Sequence, residues 1–177
     1  YIVVHYTGNE EDAAKGNANY FTSPNRMASA HFFVDDENIY QSVELKDVAW
    51  HCGSETGVYY HSNCRNNNSI GIEMCCYRKA DGTIDVSEKV IERTIELTKE
   101  LMQKYGVPAD RVIRHYDVCH KQCPAWNGWI GSDDHIWREF KAQLGQPNNV
   151  TIKQVEAVIK ANNDDKREII KIGQGHS

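Results

Sequence analysis

The chain has no run of about 18 apolar residues, so no stretch reads as a membrane-spanning helix. It has no basic stripe either. Twenty Lys and Arg stand against 25 Asp and Glu, a net charge of −5, and the pI is near 5.9. Affinity for nucleic acid rests on phosphate neutralisation by Lys and Arg, so this balance argues against a general nucleic-acid binder. There is no C-x-x-C pair, which withholds the commonest local signature of a thiolate metal site. There is no His-Glu-x-x-His, which counts against the commonest zinc peptidase motif. No internal repeat is present. No signal peptide is visible, but a chain opening on Tyr1 in a strand-like run leaves that question open.

What is present is enough chain for one domain. At 177 residues a single core needs no disulfides. The six cysteines (Cys52, Cys64, Cys75, Cys76, Cys119 and Cys123) allow three pairs in principle. Adjacent Cys75-Cys76 in an apolar run reads better as small buried hydrophobes, and reduced thiols are expected.

Tyr1 to Tyr6 is β-branched and aromatic, a strand with Val3 and His5 on one face and Ile2, Val4 and Tyr6 on the other. Glu10 to Phe21 reads as a helix, ended by the breaker Ser23-Pro24-Asn25. Ala30–Val34 and Asn38–Val43 flank the turn Asp35-Asp36-Glu37 and predict a hairpin. Glu44 to Asn68 is irregular and carries Trp50-His51-Cys52-Gly53, the kind of long connection that carries function. Ser69 to Tyr77 is the expected central strand, with Ile70, Ile72 and Met74 on one side and Gly71, Glu73 and Cys75 on the other. Asp85 with Glu88 resembles a capping box for a long helix that ends at Gly106. Arg111 to His115 is a short strand, and Ile136, Trp137, Phe140 and Leu144 mark a last core helix closed by Gly145. The fold class is therefore α/β, bordering on α+β: a single domain with a mixed central sheet flanked by helices.

The chemistry concentrates in Arg114-His115-Tyr116-Asp117-Val118-Cys119-His120-Lys121-Gln122-Cys123-Pro124. A catalytic zinc takes three protein ligands and keeps a fourth position open. His5, His115 and Cys123 would supply two imidazoles and one thiolate, leaving a net charge of about +1 and a Lewis acid. Cys119 and His120 are near enough to compete, and spacing alone does not separate them. If Lys-Gln-Cys is extended, Lys121 and Cys123 point the same way, and the ammonium stands where it can stabilise an oxyanion. Glu73 is a lone carboxylate in an apolar strand, suited to general-base work. The bland alternatives are a hydrogen-bonded structural histidine at a strand end and a satisfied buried carboxylate. His31, Trp50 and His51 are candidates for lining a substrate groove; Trp126 and Trp129 are further aromatics for one, while Trp137 defaults to the core.

Val3-Val4-His5-Tyr6-Thr7, Ser29-Ala30-His31-Phe32, Ala49-Trp50-His51-Cys52-Gly53, Ser69-Ile70-Gly71-Ile72-Glu73 and Arg114-His115 through Cys123-Pro124 occur in register over residues 1–145. Together they resemble the zinc-dependent N-acetylmuramoyl-L-alanine amidases, the amidase-2 group related to T7 lysozyme and the peptidoglycan recognition proteins. The resemblance implies one zinc at the base of a groove, held by His5, His115 and Cys123, with Glu73 and Lys121 catalytic. It implies hydrolysis of the amide between N-acetylmuramic acid and L-alanine, as in an endolysin made in the host cytoplasm and acting at the wall, or a secreted autolysin. A non-hydrolytic peptidoglycan-binding module is the alternative. The expected partner is peptidoglycan, with no nucleic acid, no membrane insertion and a monomeric state. Two departures from relatives stand out: Ala30 occupies the place of a tyrosine found in some, and Cys123 the place of an aspartate. Residues 1–145 are expected to be the catalytic domain. Residues 146–177 are expected to be a linker or short helical tail leading towards a cell-wall-binding domain.

Overall fold

The computed structural model describes residues 1–11, 13–22, 26–124, 126–146 and 170–172. Strand β1 (Ile2–Tyr6) is buried at every position but its last. Strands β2 (Phe32–Val34) and β3 (Ile39–Gln41) form the expected hairpin, β4 (Ile70–Met74) lies between β1 and β2, and β7 (Val112–Arg114) lies beside β1. With β8 (Ile170–Ile172) these make a six-stranded sheet in the order β7-β1-β4-β2-β3-β8. The β7-β1-β4-β2 pairings are parallel and the β2-β3-β8 pairings antiparallel, so the sheet is mixed. Three residues of the stretch read as linker or tail thus add an edge strand; the rest of 147–177 lies outside the described residues.

Helix α1 (Ala14–Phe21) starts four residues later than the sequence pattern suggests. Glu11 forms an isolated bridge to Tyr77, so the chain there is extended. The helix opens where the Asp35 carboxylate accepts from the Ala14 N–H at 2.8 Å. The breaker at 23–25 lies outside the described residues. The central strand is also shorter than expected. After Met74 the chain peels away to β5 (Tyr77–Arg78), which pairs with β6 (Ile84–Asp85) as a separate ribbon. That pairing occupies Asp85, so the capping box expected there does not form. Instead the Ser87 hydroxyl caps α2 (Glu88–Tyr105), accepting from Val90 N–H at 3.2 Å. Gly106 ends the helix in the left-handed region at φ 62°.

Helix α3 (His115–Cys119) follows β7 directly, so His115 begins a helical turn and does not end the strand. The turn α4 (Trp126–Trp129) departs from helical geometry at Asn127 and Gly128. Helix α5 (His135–Leu144) is the expected last core helix.

The alternation along each strand divides the molecule. Ile2, Val4, Phe32, Val34, Ile72 and Met74 face one way, into a core completed by Val90, Leu97 and Leu101 of α2, Phe140 and Leu144 of α5, and Trp129 and Trp137. Each such side chain contributes roughly 1.5–3 kcal/mol by leaving water. The opposite face of β1 and β4 carries His5 and Glu73, which are register partners. His5, Glu73 and His115 therefore all sit at the carboxyl ends of parallel strands, the end at which open α/β sheets bind ligands.

Candidate active site

His5, His115 and Cys123 come together on this face. Their donor atoms lie within 4.8 Å of one another, and among the described residues they are the one group of three or more such side chains that could hold a metal ion. All three are buried, at 1%, 4% and 5% exposure. His5 Nδ1 is 3.6 Å from Cys123 Sγ. The His115 Nε2–H donates to the Gly53 carbonyl at 3.1 Å, which leaves its Nδ1 as the donor atom on offer. The chain returns from α3 through His120, held at φ 59°, and the Tyr116 N–H donates to the Cys123 carbonyl at 2.9 Å. That loop sets the eight-residue spacing.

Burial fixes the protonation of these side chains. It pushes His5 well below the usual histidine range, and the neighbouring His51, His115 and Lys121 disfavour a charge there further. It takes His115 down to about 4. Both imidazoles are thus neutral, as metal ligation requires. Burial, and then the Glu73 carboxylate, hold the Cys123 thiol well above its usual value. A bound cation reverses that last effect by giving the thiolate a counter-charge. Two neutral nitrogens and one sulfur converging at buried positions fit a borderline-soft divalent ion.

A cavity of about 950 Å³ opens over this group and is walled by Glu73, Lys121, Trp50, His51, Tyr6 and residues of α1. Glu73 Oε1 lies 4.0 Å from His5 Nδ1, and the residue is 18% exposed. Lys121 reaches the same cavity by another geometry than the extended one expected. The Cys123 N–H donates to the Lys121 carbonyl at 2.8 Å, the i→i+2 bond of a γ-turn. Its ammonium pairs with Glu55 at 2.8 Å. Glu55 was silent in the sequence, because an acid in an irregular polar segment looks like any solvated charge.

Trp50 stands 56% exposed on the cavity wall. His51 borders the cavity but is 8% exposed, with Nδ1 2.9 Å from His5 Nε2 and Nε2 3.0 Å from Ser69 Oγ. His31 does not line it. At 1% exposure, its Nδ1 accepts from the Gly71 N–H at 3.0 Å and its Nε2 donates to the Asp47 carbonyl at 3.1 Å. Those bonds make it a brace between β4 and the loop beyond β3, a correction to its place in the groove. Cys119 and His120 stay outside the donor group. Cys119 Sγ turns to backbone carbonyls, and His120 stacks between Tyr60 and Tyr116. Trp129 and Trp137 are core residues, and the Trp126 side chain lies outside the described residues.

Residues 1–126 match the N-acetylmuramoyl-L-alanine amidase family. This chain belongs to that family. Among amidase relatives, BlyA of Bacillus subtilis is 36% identical over 153 residues, covering 80% of this chain and 40% of BlyA. The chain thus spans less than half the length of that relative. The catalytic domain of XlyA superposes with a TM-score of 0.65 at 33% identity, covering 82% of this chain and 85% of that one. A mutant endolysin from Bacillus subtilis gives 0.65 at 34% identity, covering 82% and 84%. The mixed sheet with flanking helices is the fold of these endolysin amidases.

Proposed function

We propose that this amidase-family chain hydrolyses the amide bond between the lactyl group of N-acetylmuramic acid and L-alanine in bacterial peptidoglycan, with one zinc ion held by His5, His115 and Cys123. The observation that carries the reading is the buried His–His–Cys donor group at the foot of a cavity, with a carboxylate 4.0 Å from its first ligand. Zinc in that position supplies Lewis acidity towards a carbonyl and acidifies water.

The protein's own groups do the rest. Trp50 offers an exposed aromatic face to the substrate. Glu73 takes a proton from the attacking water as its oxygen bonds to the lactyl carbonyl carbon. Lys121 exchanges Glu55 for the oxyanion that develops there. As the carbon–nitrogen bond breaks, Glu73 returns the proton to the departing alanine nitrogen. The endolysin among the matched structures supports action at the cell wall. In this reading the catalytic residues lie within 1–145, and the stretch 146–177, which adds the edge strand β8 to the same sheet, leads towards a wall-binding module.

Glu73→Gln keeps the shape and removes the base. It should bind zinc as the wild type does, by metal analysis, while lysis of cell walls falls roughly 10²–10⁴-fold. A fully active variant sinks the assignment.

A further inference from the structure

The two candidate histidine ligands are oriented by different means. His115 gives its one N–H, at Nε2, to a backbone carbonyl, which any sequence supplies. His5 gives its second nitrogen to another imidazole, an ambiguous partner, since a neutral ring can donate or accept at either nitrogen. Something must decide the direction.

The decision is made at Arg65. Its carbonyl can only accept, so the Ser69 hydroxyl donates to it, at 2.6 Å. With that proton committed, Ser69 Oγ accepts from His51 Nε2–H at 3.0 Å. A neutral imidazole carries one N–H, so His51 Nδ1 is a lone pair and accepts from His5 Nε2–H at 2.9 Å. His5 is left with a bare Nδ1 on the side of Cys123, 3.6 Å from its sulfur. The opposite tautomer would place a proton where the ion must bind.

The surroundings fix His51 in this role. Asn66 Oδ1 accepts from the backbone N–H of both His51 and Cys52, at 3.0 and 2.8 Å. The ring lies against the backbone of β4 at Gly71, where a Cβ would come within 2.5 Å of its Cγ. We infer that His51 and Ser69 are positioning residues, forming a relay from the Arg65 carbonyl that locks His5 in the tautomer able to ligate metal. This rests on the reading of His5 as a zinc ligand, and it moves His51 from substrate contact to the support of the site.

Long-range ¹H–¹⁵N NMR of the imidazoles in the full chain tests it without a mutation. Metal-free wild type should show the Nε2–H form at both His5 and His51. Ser69→Ala should lose the single-tautomer signature at His5 and bind zinc about 10–100-fold more weakly in chelator competition. Ser69→Thr keeps the hydroxyl and should restore both. An Nδ1–H signature at His5 in the wild type overturns the relay, as does a Ser69→Ala protein with wild-type zinc affinity. Either result leaves the zinc reading standing. A wild type that binds no zinc overturns both.

Discussion

His5 and Cys123 are 118 positions apart, yet Nδ1 and Sγ meet at 3.6 Å. Each donor gains its character from what surrounds it: burial makes the imidazoles neutral, and a cation would make the thiol a thiolate. Trp50 is the opposite kind of site residue, exposed and without a structural load. Trp50→Ala should raise KM for cell-wall fragments with little change in kcat, and leave stability within about 0.5 kcal/mol by thermal melting. A collapse of kcat at unchanged KM would contradict its role as a substrate contact. The residues that alternation could reach were legible in the sequence. His5 and Glu73 fall on one face because strand side chains repeat every second position. His31 was not legible, because its partners, the Asp47 carbonyl and the Gly71 N–H, reach it only through the tertiary fold.

At the level of elements, boundaries moved wherever a neighbour competed for the backbone. Tyr77 pairs with Asp85, which shortens the central strand and leaves the capping of α2 to Ser87. The Lys-Gln-Cys segment folds into a γ-turn because the chain must return from α3 to present Cys123. A simple period-2 reading has no access to that constraint. The close approach of His51 to β4 is likewise invisible in a strand pattern, although it explains why position 71 is glycine. Gly71→Ala should displace the His51 ring. The expected result is a lower melting temperature together with weaker zinc binding in chelator competition. Wild-type values for both would show that the strand yields easily and the contact is incidental.

Across the described residues, one face of the sheet holds the main core and the other the candidate site. The core against α2 and α5 holds most of the large apolar residues, while the opposite face carries the His–His–Cys group and its cavity. The sequence made this division readable through the apolar phase of β1 and β4; it did not reveal the edge strand β8, whose pairing with β3 spans a long separation. The division predicts separable phenotypes. Phe140→Ala, at a position 1% exposed, should cost about 3–5 kcal/mol in denaturant unfolding, yet the folded fraction should bind zinc normally. Loss of zinc affinity in that fraction would mean the two faces are coupled. The central claim is that this chain is a zinc amidase, and digestion of purified bacterial cell walls with and without a chelator tests it most directly. The account predicts new alanine amino termini without new reducing sugar, abolished by the chelator and restored by zinc. New reducing ends, or release of alanine termini that the chelator does not affect, would contradict it.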